Sequence, residues 1–296
     1  HGEHAAHFQR AELALARLAR RDDRAMADLQ AAAGMGNSGN RVDTLLIQNQ
    51  LKQKQFDDAL ASIAALEKKQ PKSPQPWNYR SAAYLGKGDL KKARDSLNQA
   101  LKLDPTFFPA AANLAQLDLK AGQPAEARKR YEALLKADPK NLQAMLALAD
   151  FSLQNKDERG YMAWLEKAAQ AHPQALQPRK AMTRHLLAKG ENNKALAIAR
   201  DALDANPNQP AALDLLGTVQ LAAGEKVNAI TTFTALTKKA PQSADAHLRL
   251  AMALAKRSDA HVQVFLIGDG VNCAVAGQTT PNGYYNVERM LQASAR

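Results

Sequence analysis

The chain has 296 residues, of which 46% are hydrophobic and only 5% aromatic, with a single cysteine. That balance supplies a sizeable core but favours closely packed, small-residue helices over a sandwich or barrel, and one thiol excludes an intrachain disulfide or a cysteine-based metal site. The formal charge is +11, and residues 1–260 hold 38 of the 40 Lys and Arg against 27 of the 29 Asp and Glu. The basic field therefore belongs to that part and would draw anionic partners.

The chain opens HGEHAAH, without an initiator Met or the basic and apolar regions of a signal peptide, and it stops abruptly at QASAR, so it reads as a fragment. His1, His4 and His7 are spaced for one helix face, but a frayed terminus and a missing fourth ligand argue against a metal site. No run approaches the roughly 20 apolar residues of a membrane span. Residues 6–39 read as a degenerate helix pair within a first region, 1–39. The glycine-rich GMGNSGN that ends it reads as a loop, not a phosphate cradle, since it follows no strand and lacks the Lys-Ser/Thr ending.

From there the prolines set the organisation. Pro71, Pro105, Pro139, Pro173, Pro207 and Pro241 are evenly spaced, every interval equal to the first. Each follows a helical stretch (EKKQP, LKLDP, LKADP, AQAHP, LDANP, TKKAP) and disfavours helix in the residue before it. Polar breakers halfway between them (GKGD, AGQP, NKDE, KGEN, AGEK) predict helix–turn–helix units. Asp57, Asp58, Asp157 and Glu158 fall in first turns of second helices, where acids suit the helix dipole.

With the proline counted as position 32, residues 74–107 carry Trp77 at 4, Tyr84 at 11, Ala93 at 20, Leu97 at 24 and Ala100 at 27. Position 20 is Ala59, Ala127, Ala195 and Ala229 in other units, with Tyr161 the exception. This pattern, on a period of about 34 residues, resembles the tetratricopeptide repeat (TPR) family. The resemblance implies an all-α, right-handed solenoid of helix pairs, with six units over residues 40–243 and a half unit or junction helix over 244–260. It also implies a non-catalytic binding role, with no cofactor and no metal. Ligands of such arrays lie on the face lined by first helices, at positions 2, 5, 9, 12 and 13. Projected here, with position 6 added, that groove holds Gln75, Asn78, Asn113, Gln116, Lys120, Gln143, Asp150, Gln177, Lys180, Arg184, Asp214 and Thr218. Its amides suit an extended peptide backbone or sugar hydroxyls, and Lys180 and Arg184, one helical turn apart, make its best anchor for an anionic group. The two-lysine, two-asparagine clamp of chaperone-binding TPRs is not reproduced, since Asn78 stands where a lysine is needed. The scattered lysines give no specific nucleic-acid patch, so the expected partners are protein or peptide segments, or anionic or polysaccharide ligands.

Two further resemblances concern context. FFPAAANLAQLDL (107–119), ALQPR (175–179) and ALDLLGTVQLAAGEKVNAI (212–230) are similar to TPR lipoproteins of bacterial exopolysaccharide and PEP-CTERM sorting systems. That implies a periplasmic or outer-membrane location. Residues 248–296, with GD..NCA..GQ.TPNGYYN.E, resemble an incomplete DsrE-like sulfur-relay protein, whose fragment occupies 261–296. There HVQVFLIGDG reads as a strand, and Cys273 is the candidate thiol, although no His or Lys stands beside it to lower its pKa. The leading reading is a scaffold for an exopolysaccharide-export or protein-sorting system. The alternative is a sulfur-relay protein with an appended TPR array.

Overall fold

The structure, a computed structural model, describes residues 39–256. The helix pair expected before residue 39, residues 34–38 of the glycine-rich loop, the expected strand and Cys273 lie outside the described residues, while the last two loop residues, Gly39 and Asn40, instead open a helix. These hold thirteen α-helices and no strand: α1 Gly39–Lys52, α2 Phe56–Lys69, α3 Gln75–Gly86, α4 Leu90–Leu103, α5 Phe108–Lys120, α6 Pro124–Ala137, α7 Leu142–Gln154, α8 Glu158–Ala171, α9 Leu176–Ala188, α10 Asn192–Ala205, α11 Pro210–Ala222, α12 Lys226–Lys239 and α13 Ala244–Ala255. The six second helices, α2 to α12 by evens, begin and end in strict step, each shifted from the last by the proline interval. The all-α repeat expected from the prolines is present in register.

Each second helix stops before its proline because the residue ahead of proline leaves helical conformation. The backbone N–H at that point still reaches back into the helix, as Asp104 does to Ala100 and Asp138 to Leu134. The turn inside each unit is closed in one way. The position-16 N–H donates to the position-11 carbonyl in all six units: Gln55 to Gln50, Asp89 to Tyr84, Gln123 to Asp118, Asp157 to Ser152, Glu191 to Leu186 and Glu225 to Gln220. This 6→1 bond requires a left-handed residue at position 15. Gly88, Gly122, Gly190 and Gly224 supply it, but Lys54 (φ 61°) and Lys156 (φ 59°) adopt it with a side chain. Left-handed backbone costs a non-glycine residue about 1 kcal/mol, so Lys156→Gly is expected to raise stability by about that amount in urea denaturation. A loss of stability would show that the Lys156 side chain makes a compensating contact.

By contact the described residues divide into two compact units, with the division between Ala147 and Leu148 inside α7. In the first, Ile47, Ala59, Ile63, Leu66, Tyr79 and Ala83 form one cluster across α1, α2 and α3, and Leu97, Ala100, Ala110, Leu114 and Leu117 form the next across α4 and α5. In the second, Leu186, Ala195, Ala199, Ala202, Leu216 and Val219 join α9, α10 and α11, and Leu213, Ala229, Phe233, Leu236, Ala246 and Ala253 join α11, α12 and α13. Every cluster therefore needs residues from neighbouring repeats, as expected of a quasi-one-dimensional array. Alanine at position 20 lets the helix backbones approach closely. The exception, Tyr161, is also buried and meets the edge of the His185 ring from the next repeat, centroids 5.1 Å apart.

Candidate functional site

Two layers of side chains emerge from this register, and they do different work. The first faces the second helices. Asp118, at position 11 of α5, is 1% exposed and lies between two arginines. Arg94 of α4 donates from Nη1 to its Oδ1 at 2.5 Å, and Arg130 of α6 donates from Nε to its Oδ2 at 2.9 Å. Burial pushes the carboxyl pKa up, but the two guanidiniums together outweigh it and hold the group below the ordinary carboxylate range. This clamp ties α4, α5 and α6 together and was not foreseen from the sequence. Position 11 is polar and buried elsewhere too, and in α11 Gln220 accepts from Thr232 Oγ1 of α12 at 2.7 Å. A second inter-repeat device recurs beside it. Lys87 pairs with Asp57, and Lys189 with Glu158, each joining a turn to the first turn of the preceding second helix.

The other layer is the first-helix face on which the candidate groove residues were placed. In the first unit Gln75, Asn78 and Asn113 are half-buried, while Gln116, Lys120 and Gln143 are exposed. Asn113 Nδ2 donates to Asn78 Oδ1 at 2.9 Å, bridging the first helices of adjacent repeats. Gln48 Nε2 similarly donates to the Tyr79 hydroxyl at 3.2 Å. Asn113, Gln116 and Lys120 follow one another at i, i+3 and i+7 and so share a helix face. Gln75 and Gln143 have no recorded side-chain link to this pair.

In the second unit Asp150, Gln177, Lys180 and Arg184 are exposed, and Asp214 and Thr218 half-buried. Gln177, Lys180 and Arg184 share one face of α9 by the same spacing, and neither Lys180 nor Arg184 has an ion-pair partner among the described residues. Asp214 is different. Arg249 of α13 reaches it at 3.1 Å, so its charge is matched internally. Arg249 was missed in the sequence, although its signal was present: like Asn78 and Asn113, the pair joins position 5 of one repeat to position 6 of the next.

Two clefts lie elsewhere. One of about 800 Å³ is lined by Trp77, Arg80, Tyr84, Lys92, Leu101 and Lys102, among others, of α3 and α4. Another of about 520 Å³, in the second unit, has Met162, His185, Leu186 and Ile198 beneath a rim of mixed charge. Among the described residues no His, Cys, Asp or Glu cluster is arranged as metal ligands, and no helix is long and apolar enough to cross a membrane.

Comparison with known proteins accords with the register. Tetratricopeptide-repeat families match residues 84–149 and 118–160, and residues 44–106 and 181–235. The DsrE/DsrF-like family matches residues 229–296, whose first part is α13 and most of α12, both in phase with the repeats. No curated protein matches by sequence. Among solved structures the chain is similar to the C-terminal part of a TPR repeat-containing protein from Cytophaga hutchinsonii, at 16% identity and a TM-score of 0.47 over 71% of this chain and 85% of that one. It is also similar to yeast Tom70, at 17% and 0.49 over 78% of this chain but only 52% of that one, about half its length. A third is PilW, described as a type IV pilus biogenesis factor, at 23% and 0.43 over 71% and 97%. With helix register, turn geometry and family matches in agreement, residues 39–256 are an all-α array of tetratricopeptide repeats.

Proposed function

We propose that this chain is a non-catalytic scaffold whose first-helix faces hold extended polypeptide. Tetratricopeptide repeats are protein-interaction scaffolds, and the observation that carries the reading for this chain is the Asn113 to Asn78 hydrogen bond. It consumes one amide N–H and one carbonyl oxygen. Asn78 Nδ2 and Asn113 Oδ1 then remain as a donor and an acceptor on neighbouring repeats, the complement of the C=O and N–H of a peptide backbone. The unpaired cations of α9 add a place for acidic side chains. The setting we favour is the periplasm or outer membrane, beside an exopolysaccharide-export or PEP-CTERM-type sorting apparatus, with polysaccharide hydroxyls as the other ligand the amides suit.

Capture from a cell-envelope fraction, followed by peptide mapping of what is captured, identifies the bound segment. Lys180→Ala/Arg184→Ala is expected to weaken an acidic segment by about 1–3 kcal/mol, and the loss should shrink in high salt. Unchanged affinity, with helicity intact by circular dichroism, would remove these two residues from the site.

The DsrE/DsrF-like match supports a second reading, sulfur relay through Cys273. The two part company on alkylation. Iodoacetamide at Cys273 should leave peptide binding untouched, whereas thiol-dependent persulfide acceptance lost on alkylation would favour the relay.

A further inference from the structure

The second-helix side of the first unit carries a feature that the groove does not use. Lys68, Lys102 and Lys136 all occupy position 29, in the last turns of α2, α4 and α6, and all three are exposed. None has an ion-pair partner among the described residues. Of the acids nearby, Asp95 lines the same cleft as Lys102 without an ion pair among the described residues, and three others are engaged. Glu67 takes both hydrogen bonds of Arg80, Asp104 accepts from the Thr106 N–H and hydroxyl, and Asp138 accepts from the Lys140 N–H.

A lysine in a last turn also suits the helix dipole, so the row needs a contrast. In the second unit α8 and α10 place Gln170 and Asp204 at the same position and have no basic residue in their last turns, whereas α12 carries Lys238 there. Both α8 and α10 form and stop in phase without lysine. Lysine is therefore not required to end a second helix, and the uninterrupted run of three belongs to the first unit.

The middle lysine of the row borders the cleft of about 800 Å³ on α3 and α4. Its walls include the half-buried Trp77, Tyr84 and Leu101. The rings are held in place by cations, with the Arg80 guanidinium 5.3 Å from the Trp77 centroid and the Lys92 ammonium 5.5 Å from that of Tyr84. The cleft is partly apolar and open, and no side chain of a neighbouring repeat lines it.

We propose that this side of the first unit is a second interaction surface, one that takes an acidic, extended polypeptide with an aromatic side chain seated in the cleft beside Lys102. Successive second helices pack on the first helix between them rather than on one another, so their lysines stand farther apart than the roughly 8–10 Å of directly packed helices. An extended chain, rising about 3.3 Å per residue, therefore meets them with carboxylates more than three residues apart. Asp95, Asp104 and Asp138 are interleaved with the lysines. They would oppose a phosphodiester backbone charged at every step, whereas a peptide with sparse acids passes them.

The test uses the full chain carrying Lys180→Ala/Arg184→Ala, so that the groove cations cannot account for binding, and a fluorescein-labelled peptide ESSEFSESSE read by anisotropy. Adding Lys68→Gln/Lys102→Gln/Lys136→Gln should weaken binding about tenfold or more in low salt, with the difference fading as salt rises. Replacing the peptide's phenylalanine with serine should weaken it about fivefold through lost apolar burial. The triple variant is confined to exposed side chains, and circular dichroism checks that its helices persist. Affinity within twofold of the parent overturns the surface, and indifference to the phenylalanine overturns the seat in the cleft. Tighter, lysine-dependent binding of a thymidine oligonucleotide or of anionic phospholipid vesicles would overturn the choice of polypeptide.

Discussion

Replacing Asp118 with alanine should lower the stability of the first unit by about 3 kcal/mol, because removing one member of a buried ion pair strands its partners. The estimate sits at the low end of that effect since Arg94 and Arg130 keep about a third of their side-chain surface in water and can turn outward. The loss should appear in urea denaturation, and in hydrogen exchange as faster opening of α5 and its two flanking second helices. Asp118→Asn keeps the volume and removes the charge, which separates packing from electrostatics. A carboxyl held below its ordinary pKa stabilises the fold above the unfolded value, 3.8 here. That contribution fades as pH falls below it towards the lower folded value. The wild type should therefore lose stability on acidification through this window more steeply than Asp118→Asn. A loss for alanine no larger than that of an ordinary surface substitution, about 0.5 kcal/mol, or parallel pH profiles, would show that the arginines do not hold a charged Asp118.

A comparable loss is expected at the other end of the array. Phe233 is fully buried, the largest such side chain among the described residues, and packs with Leu213, Ala229, Leu236, Ala246 and Ala253. Phe233→Ala should cost about 3–5 kcal/mol through lost transfer energy and a cavity. The ring has room only because position 8 of α11 is glycine, where an added Cβ would lie 2.6 Å from Phe233 Cε1. Gly217→Ala should therefore cost about 1–3 kcal/mol by overpacking. Phe233→Leu should offset part of that loss, giving a favourable coupling in the double-mutant cycle. Additive effects would mean that the two positions do not share this space. Since Phe233 lies inside the DsrE/DsrF-like match, the cycle also measures how firmly those residues are committed to the repeats.

What the sequence made legible was whatever repeats. Evenly spaced prolines fix where second helices end, and small residues at position 20 fix where helices cross, so fold and register follow from spacing alone. Tyr161 shows the limit, since its accommodation depends on His185 in the next repeat. The Asp118 clamp was illegible for a similar reason. A lone aspartate at position 11 reads as a departure from the pattern, and its partners, Arg94 and Arg130, stand in two different second helices, one on either side of it in the chain. The turn lysines Lys54 and Lys156 were hidden because glycine usually announces left-handed backbone. For the candidate groove, the register placed the side chains on first helices but not their pairings. Asn78 with Asn113, and Asp214 with Arg249, are joined by a spacing one longer than the period, which a search at the period itself passes over.

The invariant spacing of the second helices also bears on how such a chain can lengthen. Suppose residues 108–141 were duplicated in tandem. Every helix after the insertion would stay in phase, and the second copy of Asp118 would still meet its own Arg130. Towards the preceding repeat it would find Arg128, which stands at the same position as Arg94. The internal clamp would be inherited with the copy. The asparagine bridge would not, because position 5 of that repeat is Ala112, and the new Asn113 would face a methyl group. Growth by duplication can thus preserve cohesion and carry Gln116 and Lys120 along, while leaving the copied Asn113 unbridged and free to diverge towards a ligand of its own.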